Sequence, residues 1–174
     1  MKLYLPIAFL SLLLIACGGS KTLTTQTIQD GKLKKVLTFQ GDSSKHKLVK
    51  EEIFAEGDRK VSELNFKNGM LNGQSANYWE NGKMKDENTF VNGKKNGVFK
   101  KYDSKGRLLI AGEMKDGMKN GLWTTWYDET QKEEERSYKN DLLEGEYSYW
   151  FIDGSLKKIE FYEGGKKIKE TIYQ

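Results

Sequence analysis

The chain has 174 residues, enough for one ordinary domain, with 31% charged residues and 18 Gly against a single Pro, Pro6. The net charge of +4 does not describe a nucleic-acid binder: from Val61 to Gln174 there are 19 Lys plus Arg and 19 Asp plus Glu, whereas phosphate-backbone binding needs a concentrated basic face. Abundant Gly with almost no Pro predicts many tight turns and few rigid loops, as in a chain of short strands.

The first segment reads MKLYLPIAFLSLLLIAC. Lys2 precedes an apolar run from Leu3 to Ile15 of 13 residues, too short for a spanning helix of roughly 20 residues and of the size of a secretory signal's apolar region. It ends in Leu14-Ile15-Ala16-Cys17, which resembles a bacterial lipobox, and Cys17 is the chain's single cysteine. Residues 1–16 are therefore expected to be a lipoprotein signal peptide. Cys17 would carry covalent diacylglycerol and a fatty acid, which anchor the mature protein at a membrane surface in the bacterial cell envelope. Gly18 is not the Asp of a retention signal, so in a diderm cell the outer membrane is the expected address. With no second Cys, no disulfide staples the fold. Residues 17–29, opening Cys17-Gly18-Gly19-Ser20, are expected to be a flexible tether.

Between 30 and 65 a motif appears in decayed form. DGKLKKVLTF from Asp30 matches NGKMKDENTF from Asn81 in its Gly, Lys, apolar and final Phe positions, and EGDRKVSELNF from Glu56 is similar. This region is expected to hold one or two degenerate repeats acting as a cap, since terminal repeats are usually atypical.

From Phe66 to the end, residues 66–174, the chain repeats every 24 residues without insertion or deletion. Lines begin at Phe66, Phe90, Met114, Tyr138 and Tyr162, which form one apolar column. Gly69, Gly93, Gly117 and Gly165 form a second column, with Asp141 as its exception. Gly73, Gly97, Gly121 and Gly145 form a third, and Gly82, Gly106 and Gly154 a fourth in which Thr130 substitutes. Aromatic columns run through Phe99, Trp123 and Tyr147, where Ser75 lacks the ring, and through Tyr78, Tyr102, Trp126 and Trp150. Asn-Gly and Asp-Gly are strong hairpin signals, and Gly every few residues is incompatible with helices. Each unit is thus expected to be one β-hairpin, too small to fold alone. The fold class expected is all-β: an elongated single-layer antiparallel meander of 24-residue β-hairpin repeats, with aromatic ladders across its strands.

The pattern of a Gly turn, then Gly-x-aromatic-x-x-Tyr/Trp, resembles the bacterial MORN-repeat variant, the YwqK-type antitoxin-like proteins. The resemblance covers about residues 66–170 and departs locally at Ser75, Asp103, Thr130 and Asp141. It implies hairpin arrays used for protein interaction or membrane association.

Little in the chain suggests catalysis. His46 is the single His, without a nucleophile or an orienting partner in any motif, so no catalytic residue, metal or dissociable cofactor is expected. Glu133-Glu134-Glu135 lacks the alternating acidic loop of a calcium site. The aromatics carry two readings. Trp79, Trp123, Trp126, Tyr127, Trp150 and Phe151 are either the core of a thin sheet or an exposed binding platform. Trp123 and Trp126 are three apart, so a regular strand places them on opposite faces. The expected function is a non-catalytic, membrane-anchored lipoprotein whose array binds a protein or envelope component. Alternatives are an antitoxin-like neutraliser of a toxin and a glycan- or peptidoglycan-binding module. Expected partners are the membrane through the lipid anchor and a protein, with no nucleic acid, and open sheet edges allow edge-to-edge self-association.

Overall fold

The computed structural model describes residues 13–14, 23–41 and 45–173; Cys17 lies outside them. Every regular element among the described residues is a β-strand. In chain order these are β1 (Leu13–Leu14), β2 (Leu23–Asp30), β3 (Leu33–Gln40), β4 (Lys47–Ala55) and β5 (Arg59–Lys67). There follow β6 (Met70–Leu71), β7 (Gly73–Tyr78), β8 (Met84–Val91), β9 (Lys94–Tyr102) and β10 (Leu108–Lys115). The last are β11 (Met118–Trp126), β12 (Lys132–Lys139), β13 (Leu142–Trp150), β14 (Leu156–Glu163) and β15 (Lys166–Ile172). They form one open antiparallel meander in sequence order, with the short β6 pairing β5 beside β7. The single-layer hairpin array expected from the sequence is what the chain builds.

The 24-residue step is visible in the strand bounds. From β8 onward, β8, β10, β12 and β14 start at Met84, Leu108, Lys132 and Leu156, and β9, β11, β13 and β15 at Lys94, Met118, Leu142 and Lys166. Two kinds of connection alternate along opposite long edges of the ribbon. On one edge lie two-residue turns, Asn68-Gly69, Asn92-Gly93, Asp116-Gly117, Asn140-Asp141 and Gly164-Gly165, in which both residues have positive φ. That is the type I′ turn, whose twist matches the flanking strands. Asp141, the exception in its Gly column, still adopts φ 66°, and its carboxylate accepts from the Lys119 amide at 2.7 Å. Successive turns are tied together: the amides of Gly93, Gly117, Asp141 and Gly165 donate to the carbonyls of Leu71, Lys95, Lys119 and Leu143 at 2.8, 2.8, 3.0 and 2.9 Å.

The third Gly column has a different role from the turn residues it resembles in sequence. Gly73, Gly97, Gly121 and Gly145 sit at the start of β7 and inside β9, β11 and β13, with φ of 95°, 108°, 70° and 83°. Around the last three the cross-strand register shifts. A bulge of this kind puts extra residues on one strand and increases its twist. A second bulge recurs in the other strand of each unit, where Lys85, Leu109, Glu133 and Lys157 are skipped by the pairing.

The region expected to tether the domain is partly sheet. Leu23–Gln29 belongs to β2, paired with β3 from Leu23↔Gln40 to Asp30↔Leu33. Thr24, Thr25, Thr27 and Ile28 are β-branched and supply strand propensity, and Gly31 at φ 59° closes the hairpin. Linker composition ends before Leu23. Residues 30–65 contribute β3, β4 and β5 to the same sheet.

One face carries the aromatic ladder. Trp123 is 7% exposed and Tyr147 9%, the buried apolar residues among those described. The Trp123 ring stacks on Phe99 at 5.2 Å and meets Tyr138 edge-on at 6.3 Å, while its indole N–H donates to the Glu113 carbonyl at 3.0 Å. The opposite face centres on small and charged side chains. Thr124 and Ser148 are buried there, and Lys60 bridges Glu52 and Glu63 at 2.6 and 2.8 Å. A sheet with no covering layer has little room for a dry core, so the buried set on both faces is mostly polar.

Candidate functional site

Four loops on the edge opposite the type I′ turns place the sequence-predicted aromatics. They run Trp79–Lys83, Asp103–Arg107, Tyr127–Gln131 and Phe151–Ser155. In each, the first residue's amide donates to the fifth residue's carbonyl, at 2.8, 2.9, 3.0 and 2.9 Å. Gly82, Gly106 and Gly154 stand fourth, with φ of 80°, 88° and 90°. Their amides return to Trp79, Asp103 and Phe151 at 2.9, 3.0 and 3.0 Å. This is a type I turn followed by a left-handed residue. Thr130 cannot do this cheaply, and the Asp128 carboxylate substitutes by accepting from the Thr130 and Gln131 amides, both at 2.9 Å. Those backbone bonds hold the Asp128 carboxyl below its ordinary range.

Because the loops repeat every 24 residues, their first positions form a row: Trp79, Asp103, Tyr127 and Phe151. Tyr127 is 38% exposed and Phe151 43%, and the neighbouring Ile152 is 72% exposed. Trp79 is half-buried, with its indole N–H on the Tyr102 carbonyl at 3.1 Å; it lines a shallow depression with Tyr78, Glu80, Asn81, Lys85 and Ser104. The Tyr127 hydroxyl donates to the Trp150 carbonyl at 3.1 Å. These two bonds tie Trp79 and Tyr127 to the following unit. Ammonium groups attend the rings: Lys85 lies 4.7 Å from the Trp79 ring, Lys157 5.4 Å from Phe151 and Lys132 5.6 Å from Trp150. Asp103 interrupts the row and instead pairs with Arg107 at 2.7 Å.

The structure therefore divides the predicted aromatics. Trp79, Tyr127 and Phe151 share the loop edge. Trp126 and Trp150 are half-buried at the ends of β11 and β13, on the face opposite Trp123 by strand alternation. Trp123 does not belong to an exposed platform; it is buried in the ladder. Gly112 across the strand leaves room for it, since a Cβ there would collide with the indole.

Sequence reasoning missed Glu160. It is 4% exposed on the ladder face and accepts from Lys158 at 2.8 Å, Tyr162 at 2.9 Å, Tyr149 at 3.1 Å and Lys167 at 3.3 Å. Burial alone would raise its pKa; the four donors more than offset this and bring it to about 2. Burial is also the main reason that Tyr147 is pushed up to about 12. Glu160 is thus a fixed anion that ties β13, β14 and β15 together, and it is poorly suited to proton transfer near neutral pH. Among the described residues no group of three His, Cys, Asp or Glu is placed to hold a metal ion. No helix among them is long and apolar enough to cross a membrane.

No protein-family model matches the chain, and no curated protein matches it either.

Proposed function

We propose that this chain is a non-catalytic envelope lipoprotein, lipidated at Cys17, whose MORN-type hairpin array docks a protein partner along its aromatic loop edge. The observation that carries the reading is the row itself. Tyr127 and Phe151 keep 38% and 43% of their surface exposed although a buried ladder exists on the adjacent face to receive rings. Each begins a loop closed by the first-to-fifth backbone bond that the four loops share. Aromatic rings are enriched among the anchors of protein interfaces, within a polar rim.

The test is purification of the lipidated protein in mild detergent, with mass spectrometry of what accompanies it. One protein at near-equal amount, lost on combining Tyr127→Ala with Phe151→Ala, is the expected result. Inhibition of that partner's activity would make the array a neutraliser. Saturable binding to a purified glycan, lost in the same double variant, would replace the protein partner with a glycan strand. An intact mass lacking diacylglycerol would remove the anchor from the proposal.

A further inference from the structure

The sheet ends in two edges of opposite character. At the C-terminal end β15 presents Lys166, Lys167 and Lys169, with Glu170 between them and Ile172. Lysines on an exposed edge are a common device against strand addition. At the other end β2 has no charged residue from Leu23 to Gln29. It has no bulge either: β2 pairs with β3 without a register shift over eight positions, whereas the pairings from β3 with β4 to β14 with β15 shift, the two-position β5–β7 contact aside. A long, uncharged, regular edge strand is a template for another strand. The chain itself illustrates this, since Leu14 and Leu13 pair with Leu23 and Thr24 on that outer edge. Cleavage before Cys17 would remove that pair, and from Thr25 to Asp30 the outer edge has no strand partner among the described residues.

We infer that β2 is a dimerisation edge and that its occupant is β2 of a second copy, added antiparallel to make one continuous sheet. Symmetry favours this occupant. A two-fold axis perpendicular to the sheet keeps each face on its own side, so residues meet themselves or residues an even number of positions away. With Gln26 on the axis, Thr25 meets Thr27 and Thr24 meets Ile28 of the second copy, and no like charges are opposed. The same operation on β15 is restricted: an axis at Ile168 opposes Lys167 to Lys169, one at Lys169 or Glu170 opposes that residue to itself, and an axis at Thr171, which avoids like charges, pairs only Glu170 to Ile172 within the strand. The pairing is isologous and closes at two copies, so it does not propagate into a filament. Anchoring adds to it. A lipid on Cys17, six positions before Leu23, holds the β2 edge of every copy near one membrane plane and raises its effective concentration. That concentrating effect and the release of Leu23 and Thr24 from Leu14 and Leu13 rest on the lipoprotein processing proposed above; the uncharged, bulge-free character of β2 does not.

The experiment uses full-length lipidated protein in bilayer nanodiscs. With the Cys17 thiol engaged in a thioether, Gln26→Cys supplies the one free thiol, and mild oxidation followed by non-reducing electrophoresis reads symmetric β2 pairing. Ile168→Cys on β15 is the matched control for chance encounter. About tenfold more disulfide-linked dimer for Gln26→Cys than for Ile168→Cys is expected, falling about tenfold when Thr25→Lys and Thr27→Lys are added. Circular dichroism of each variant separates loss of pairing from loss of fold. Equal yields from the two cysteines, monomer in both, or a mixed disulfide of Gln26→Cys with another protein's strand would each overturn the inference. Intact mass reports lipidation independently, so failure of the anchor and failure of the edge are told apart.

Discussion

The indole of Trp123 lies directly over Gly112 on the neighbouring strand: a Cβ at Gly112 would collide with the ring. Gly112 has an ordinary negative-φ strand conformation, so the requirement is for space, not for a left-handed backbone. Gly112→Ala is expected to displace the ring from its stack on Phe99 and lower stability by about 1–3 kcal/mol. Urea denaturation followed by Trp fluorescence measures it. An unchanged midpoint would show that the ladder tolerates the shift.

The same contact makes Trp123 an unsuitable probe of surface binding. Trp123→Ala removes a 7%-exposed ring and is expected to cost about 3–5 kcal/mol, so any loss of binding would be ambiguous. Phe151→Ala is expected to change stability by less than about 1 kcal/mol while weakening partner capture. Thermal melts beside the pull-down check both halves. A large drop in melting temperature for Phe151→Ala would place that ring in the core.

Glu160 contributes to the acid limb of the pH profile, and Tyr147, with Tyr149, which burial also raises, to the alkaline limb. Glu160 is held at about 2 against an ordinary 4.5, so its contribution is complete above pH 4.5 and declines as pH falls toward 2. Tyr147 is raised from 10.0 to about 12. Its contribution is complete below pH 10 and is lost as pH rises toward 12. Urea midpoints across pH are expected to fall on both sides, and Glu160→Gln is expected to flatten the acid limb. An acid limb unchanged in Glu160→Gln would assign it to other carboxylates.

The bulge glycines are expected to resist substitution even where there is room. Nothing but the Glu113 carboxylate, at 3.8 Å, would meet a Cβ on Gly121, yet φ is 70°. Gly121→Ala should therefore cost about 1–2 kcal/mol through backbone strain alone. Asp141→Gly, at φ 66°, should be neutral or stabilising for the same reason, apart from the bond its carboxylate accepts from Lys119. Paired denaturation curves compare the two, and equal effects would contradict a conformational origin.

Much of this was legible without coordinates. Repetition at 24 residues implies repeated hairpins, because identical local chemistry must fold identically unless tertiary contacts intervene. Asn-Gly or Asp-Gly occupies three of the two-residue turns, because few residues accept two successive positive φ values, but the same dipeptides also stand at the bulges and in the five-residue loops. Column exceptions were harder. Asp103 takes an aromatic position and pairs with Arg107, while Thr130 and Asp141 take glycine positions and are supported by side-chain hydrogen bonds, an exchange of glycine's freedom for polar bonds that composition does not reveal. Leu23–Gln29 reads as linker because it follows Gly18-Gly19-Ser20, yet it forms most of β2, and its β-branched residues are themselves a strand signal.

The sequence by itself determined the hairpin unit, its pitch and the single-layer sheet, since turn chemistry and strand alternation act over a few residues. Only the tertiary structure decided which glycines are turns and which are bulges, which tryptophan is buried and which carboxylate is locked by four donors. Those outcomes depend on what stands opposite across a strand pair: Gly112 beneath Trp123, and Tyr149 and Lys167, which join the same-strand Lys158 and Tyr162 around Glu160. Cross-strand neighbours are set by register, and register shifted at each bulge in a way that counting along the chain does not supply.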